Sequence, residues 1–370
     1  MSSRDQFTSK IGFILAAAGS AIGLGAIWKF PYMAGTNGGS VFIILFILCT
    51  VIIGLPILIA EFMVGRRGQK DPITSFKEQA PGKPWYMIGW IGMVACGLIL
   101  SFYSVVGGWI LSYIARAFTL SLTGNGVDFG ELFSDIIANP LEVIVAQAAF
   151  MLLTLLIVQA GIQKGIEAAS KWMMPLLFIF FILLFIRSIT LDGAMEGVKF
   201  MFVPDWSYFN GETLILALGQ AFFSLSIGVA AMITYASYLS KKEKIVTSAV
   251  NVATMNIAIS LLAGLVIFPA VFALGFSPTE GPGLVFIMIP AVFEQLPFGS
   301  VLLIVFFILL LFATVTSSIA LLEVVVSIGI REKLPPKKAI SVSIPLSAFF
   351  SQIAVTSDAA GAFVSPDIAL

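Results

Sequence analysis

Residues 14–32 read ILAAAGSAIGLGAIWKFPY. The stretch is apolar enough to enter a bilayer. Yet it places Gly19, Gly23 and Gly25 close together and then adds Trp28, Lys29 and Pro31. Each glycine weakens a helix interior by about 1 kcal/mol relative to alanine. A membrane helix weakened in its own middle suggests that the break is put to use, and the rest of the chain bears on that idea.

The chain has 370 residues, 59% apolar and only 11% charged. A soluble domain carries roughly 25% charged residues, so this composition points to a polytopic membrane protein. Lys+Arg and Asp+Glu are equal at 20 each, and no basic surplus suggests nucleic acid. There is no histidine, which removes the usual proton shuttle and metal ligand at neutral pH. Cys49 and Cys96 both lie in apolar runs and read as buried thiols. Basic Arg4 and Lys10 before an apolar run imitate a signal peptide, but many further spans follow.

A spanning helix needs roughly 20 apolar residues. About nine segments qualify, near 11–33, 41–64, 87–119, 141–160, 170–190, 213–239, 248–275, 300–329 and 339–356, the last interrupted by serine, glutamine and proline. Loops on one side are basic: Arg4 and Lys10; Arg66, Arg67, Lys70, Lys77 and Lys83; Lys164 and Lys171; Lys241, Lys242 and Lys244; Arg331, Lys333, Lys337 and Lys338. The opposite loops are acidic, through Asp128, Glu131, Asp135, Asp192, Glu196, Asp205, Glu212, Glu280 and Glu294, with Lys199 the exception. The positive-inside rule then puts the N-terminus in the cytoplasm of a multi-pass cell-membrane protein. Trp85, Trp90, Trp172 and Trp206 fall near span ends, as interfacial anchors do.

The sixth span, LALGQAFFSLSIGVAAMITY, repeats the opening pattern, with Gly219 and Gly228 bracketing Ser224 and Ser226. Two glycine-interrupted spans, five apart, point to an inverted-repeat transporter with a site at mid-membrane. Unwound backbone there must line a cavity or be covered by protein, and its free N–H and C=O groups attract carboxylates and cations. The alternative is that the glycines only let helices pack closely. Helical spacing puts Ile99 with Tyr103, Asn256 with Ser260, and Ala313, Thr316, Ser317 and Leu321 on shared faces. Such hydroxyls and carbonyls suit a hard cation such as Na⁺; hydroxyls bonded to their own helix are the alternative. Glu61 and Glu323 are ionisable groups at membrane depth and functional candidates for that reason. Glu61, near a span end, and Lys29 are both placed to reach water.

AGSAIGLGAIWKFPY, NGGSVFIILF, GLPILIAEFMVGR, GQAFFSLSIG, ITYASYLSK and ATVTSSIALLE closely resemble, in order, motifs of the neurotransmitter:sodium symporter family, in its bacterial amino-acid branch with the leucine transporter. The resemblance runs from about residue 4 to residue 338. It implies an all-α fold of two inverted sets of five helices with the first and sixth broken, a fold known for such binding sites. It implies one sodium site from carbonyls of Gly19, Ile22 and Ala313 with the hydroxyls of Thr316 and Ser317. A second would use Ala21, Ser224 and Asn256, with Ala26 standing where the family has asparagine. One or two Na⁺ are therefore implied.

For substrate the resemblance nominates Ala21, Gly23, Leu24, Gly25, Ile99, Tyr103, Phe223, Ser224, Ser226, Val229, Ser317 and Leu321, with Tyr103 on a carboxylate. Gly23 stands where monoamine carriers have aspartate, which favours an amino acid over an amine. Val229 replaces a bulkier phenylalanine of the leucine transporter, which favours a hydrophobic or aromatic side chain. Chloride is left open: Gln220, Ser224, Asn256 and Ser260 match a chloride site, but Phe46 replaces its tyrosine. Arg4, Phe7 and Tyr238 resemble cytoplasmic gate residues, Arg331 with Glu332 beside it stands at the acidic gate partner, and Lys29 replaces the outer arginine.

The sequence thus predicts a transporter domain over 1–338 and an atypical ninth segment and tail over 339–370, with the second repeat incomplete. The function expected is sodium-coupled symport of an amino acid by alternating access, as monomer or homodimer. The alternative is a transport-inactive chain that still binds substrate and sodium. An intramembrane enzyme is disfavoured by the absence of histidine, of a membrane-buried aspartate and of a ligand cluster. A channel is disfavoured by the lack of a repeated filter.

Overall fold

The computed structural model describes residues 6–119, 122, 127–275, 283–294, 296 and 298–331, residues 330 and 331 by backbone alone. Every regular element among them is helical. In chain order these are α1 (Lys10–Ala21), α2 (Gly25–Thr36), α3 (Ser40–Gly68), α4 (Pro72–Gln79), α5 (Tyr86–Phe118), α6 (Phe129–Ala138), α7 (Pro140–Gln159), α8 (Ile162–Ile189), α9 (Ala194–Phe202), α10 (Gly211–Ser224), α11 (Ala231–Ala236), α12 (Ile245–Ala273), α13 (Leu284–Glu294) and α14 (Gly299–Arg331). α3, α5, α7, α8, α12 and α14 are each long and apolar enough to cross a bilayer, and α1 with α2 forms a broken pair bent by 54°. The ninth segment, Arg4, Glu280 and Glu332 lie outside the described residues, as does the side chain of Arg331.

The sixth span is not one helix over 213–239. It is α10, a non-helical link from Leu225 to Ala230, and a short α11. The fifth span begins at Ile162 rather than near residue 170. α13 was not expected as a helix. It tucks Phe286 among the rings of Trp28, Trp109, Tyr113, Phe133 and Phe307.

Three helices widen into a π-turn just before a proline: Gly25–Lys29 before Pro31, Thr50–Gly54 before Pro56, and Leu284–Met288 before Pro290. A proline ring clashes with the carbonyl four residues back, here that of Ile27, Ile52 or Phe286. Widening the turn relieves the clash and leaves carbonyls in need of partners. The Tyr113 hydroxyl supplies one, donating to Phe286 O at 2.8 Å.

The outer faces carry exposed apolar side chains, among them Ile52, Ile91, Leu141 and Ile186. That is the pattern of helices facing lipid. Trp85, Trp90, Trp172 and Trp206 are all exposed. Inside, close approach depends on glycine. A Cβ on Gly65 of α3 would lie 2.1 Å from Ile233 O on α11, and one on Gly92 of α5 would lie 2.7 Å from Ala230 Cβ. Close packing at glycine therefore occurs away from the first break as well as at it.

Candidate functional site

Both breaks open onto one cavity of about 280 Å³. It is lined by Ala21, Gly23, Gly25, Ile99, Tyr103, Phe223, Ser226, Val229, Ser317 and Leu321, all nominated from the sequence, and also by Ser20, Gly219, Phe222 and Ile227, which were not. Leu24 and Ser224 stand behind the wall. Leu24 contributes its amide, donated to the Tyr103 hydroxyl at 2.8 Å.

The two breaks have different causes. At Gly23 a Cβ would lie 2.3 Å from both the Tyr103 hydroxyl and Ser317 Oγ, and at Gly25 it would lie 2.7 Å from the Phe223 ring. There glycine makes room for neighbours. In the second break Gly228 has φ +85, and Ser226 and Ala230 sit at φ 53 and 62. A left-handed non-glycine residue costs roughly 1–2 kcal/mol, so the surrounding helices must hold this segment.

An unwound segment inside a membrane must have its polar groups satisfied by protein, and here side chains from five helices do so. Ser317 of α14 donates to Gly19 O at 3.3 Å and Ser20 O at 3.1 Å. Asn256 of α12 donates to Ala21 O at 3.2 Å and Ser224 O at 2.9 Å, and its Oδ1 accepts from Ser224 Oγ at 3.1 Å. Gln220 Nε2 donates to Gly25 O at 2.7 Å. Ser226 Oγ donates to Ser20 O at 2.9 Å, which ties one break directly to the other. Glu61 of α3 is buried and accepts from Gly228 N at 2.6 Å. It therefore does not simply reach water, as its place near a span end had implied. Cys96 Sγ donates to Val229 O at 2.9 Å.

Gly92, Cys96, Ile99 and Tyr103 recur at helical spacing, so one face of α5 supports the second break from Ala230 to the cavity. Only the Ile99–Tyr103 half of that stripe had been singled out in the sequence. Gly92 and Cys96 carry no polar signature that would have marked them.

The predicted sodium ligands fall into two groups. Gly19 and Thr316 are in contact range, since a Cβ on Gly19 would lie 3.1 Å from Thr316 Cβ. Thr316 Oγ1 bonds within its own helix, to Phe312 O at 2.9 Å and Ala313 O at 3.0 Å, while Ser317 reaches across to α1. Thr316 thus follows the own-helix alternative, whereas Ser317 bonds across to α1. Ile22, at the C-terminal end of α1, and Ala313 are fully buried. The other group, Ala21, Ser224 and Asn256, is joined by the bonds above, and Ala26 is buried without a side-chain oxygen to add. Every one of these oxygens is neutral. Among the described residues no three His, Cys, Asp or Glu side chains cluster as a metal site.

Lys29 Nζ lies 4.8 Å from the centroid of the ring of Phe223, a lining residue. Of the expected gate residues, Phe7 N donates to Tyr238 O at 3.2 Å, the Phe7 ring packs on Phe13 and Tyr235, and the Tyr238 hydroxyl donates to Glu323 at 2.5 Å. Phe46 packs on Phe30 at 4.9 Å, while Ser260 Oγ and Gln220 Oε1 are buried without a hydrogen-bond partner.

The sequence profile of the Sodium:neurotransmitter symporter family matches residues 4–128 and 132–365. The chain belongs to this family. Among its relatives, the sodium-dependent transporter YhdH of Bacillus subtilis is 54% identical over 335 residues, covering 90% of this chain and 74% of YhdH. A sodium-dependent transporter of Haemophilus influenzae is 38% identical, covering 94% of this chain and 78% of its own. The crystal structure of MhsT in complex with L-phenylalanine superposes with a TM-score of 0.90 at 44% identity, over 98% of this chain and 81% of MhsT. This is a family of sodium-dependent transporters, and the walls of the two breaks are rich in carbonyls, hydroxyls and amides.

Proposed function

We propose that this symporter takes up an amino acid with a hydrophobic or aromatic side chain, driven by one or two co-transported Na⁺, by alternating access around the two breaks. The carrying observation is that both breaks open onto one cavity, with the Tyr103 hydroxyl held at the first break by Leu24 N. A substrate carboxylate would bind there, against free amides of the broken α1–α2 pair and the Tyr103 hydroxyl. The side chain would lie against Ile99, Phe222, Val229 and Leu321, which are apolar and leave room beside Val229. Gly23 offers no acid for an amine. That MhsT was crystallised with L-phenylalanine is consistent with this choice.

In this reading Gly19, Ile22, Ala313, Thr316 and Ser317 coordinate one Na⁺, and Ala21, Ser224 and Asn256 provide a weaker site for a second. Sodium would replace the Ser317 proton at Gly19 O and so stiffen the break that the substrate needs. Chloride stays an open part of this reading: Gln220, Ser224, Asn256 and Ser260 match a chloride site, and Phe46 lacks its hydroxyl. The basic loops place the N-terminus in the cytoplasm, so Phe7, Tyr238 and Glu323 close the inner end and Lys29 over Phe223 closes the outer one. The driving force is the sodium gradient plus about 2.3 kcal/mol per charge per 100 mV.

The test is binding of labelled L-phenylalanine to the purified chain with Na⁺ or with K⁺, beside the Thr316→Ala/Ser317→Ala variant. Sodium-dependent binding lost in the variant is expected, followed by sodium-driven uptake into vesicles. Equal binding in K⁺ would refute sodium coupling. Binding without uptake would favour the transport-inactive alternative.

A further inference from the structure

A second cavity, of about 550 Å³, lies away from the transport path, where the C-terminal end of α3 meets the start of α12. One half is apolar, from Met63, Val64 and Ile245, and the other is basic, from Arg66, Arg67 and Lys241. No carboxylate lines it. The Arg66 guanidinium donates to Glu243 O and is committed to the loop before α12. Among the described residues neither Arg67 nor Lys241 forms an ion pair, and nearby Glu78 is already taken by Lys70.

The apolar half is continuous with the lipid-facing surface. Met63 is 56% exposed, and Val246, one residue beyond Ile245, is 58% exposed. The basic half sits where a spanning helix leaves the hydrocarbon, the depth of lipid headgroups. Basic pockets between transmembrane helices at this level suit anionic headgroups, and the apolar wall beside them suits acyl chains. A soluble anion would use only half of the cavity.

We propose that this cavity is a binding site for one anionic phospholipid, its phosphate between Arg67 and Lys241 and its acyl chains along Met63, Val64 and Ile245. The occupant bridges the end of α3 and the loop that follows α11. It thereby joins a long continuous span to the broken one.

The test is native mass spectrometry of the detergent-purified chain with phosphatidylglycerol, with phosphatidylcholine and with the water-soluble headgroup glycerophosphoglycerol. Phosphatidylglycerol should bind one-to-one and more tightly than phosphatidylcholine. At roughly 1 kcal/mol per basic residue, Arg67→Ala/Lys241→Ala should weaken it about 30-fold. The charge-preserving Arg67→Lys/Lys241→Arg variant should retain it. Arg67 and Lys241 are both exposed, so folding is not at stake, and an unchanged thermal unfolding profile confirms that. Undiminished phosphatidylglycerol binding to the alanine variant would overturn the site. Glycerophosphoglycerol binding as tightly as the lipid would overturn the lipid and reassign the cavity to a free phosphate.

Discussion

Replacing Tyr103 by phenylalanine removes one oxygen and keeps the ring, so it isolates the role of the hydroxyl. That oxygen accepts from Leu24 N at 2.8 Å inside a buried break. Removing it leaves the Leu24 amide without its partner, at a cost of about 1–3 kcal/mol. It also removes the donor proposed for the substrate carboxylate, and a hydrogen bond to a charged group is worth about 1.5–3 kcal/mol. The first loss falls on the empty and the filled protein alike and should lower the thermal unfolding midpoint. The second falls on the complex alone. Binding of L-phenylalanine in sodium, followed by titration calorimetry, should therefore weaken by about 10- to 150-fold, at 1.4 kcal/mol per factor of ten. Phenethylamine, which keeps the ring and amine but lacks the carboxylate, should bind both proteins equally weakly. A variant that binds L-phenylalanine within about two-fold of the parent would refute the assignment of the carboxylate to Tyr103, whatever happened to its stability.

Asn256→Ala should lower the unfolding midpoint and abolish sodium-dependent binding together, because it leaves Ala21 O and Ser224 O without donors, at roughly 1–3 kcal/mol for each buried group; loss of only one of the two effects would separate the scaffold from the ion site. Gly65→Ala should cost about 1–3 kcal/mol or more, read as a drop in melting temperature in detergent, since the new methyl meets the rigid Ile233 carbonyl rather than a movable side chain. An unchanged melting temperature would mean that α3 and α11 stand farther apart. Ala230→Gly should leave stability level or raised, because relief of a left-handed alanine (~1–2 kcal/mol) offsets the added backbone freedom of glycine (~0.5–1 kcal/mol). A loss above about 1 kcal/mol would contradict the positive φ at that residue.

The sequence by itself determined the class of protein and the location of the site along the chain. Low charge with long apolar runs leaves no soluble alternative. The glycines of the first span marked the break because a missing side chain shows up in a helix pattern. Helical spacing put Ser317 and Leu321 on one face, and both line the cavity.

Tertiary structure decided what each break is for and what holds it. Local sequence gives no sign that Gly23 is needed for Tyr103 and Ser317, whereas Gly228 is needed for its own backbone angle. It gives no sign that Cys96 and Glu61 support residues of the second break. Unwound backbone in a membrane has lost its local hydrogen bonds. Its partners must come from elsewhere in the chain, and only the fold brings them within reach.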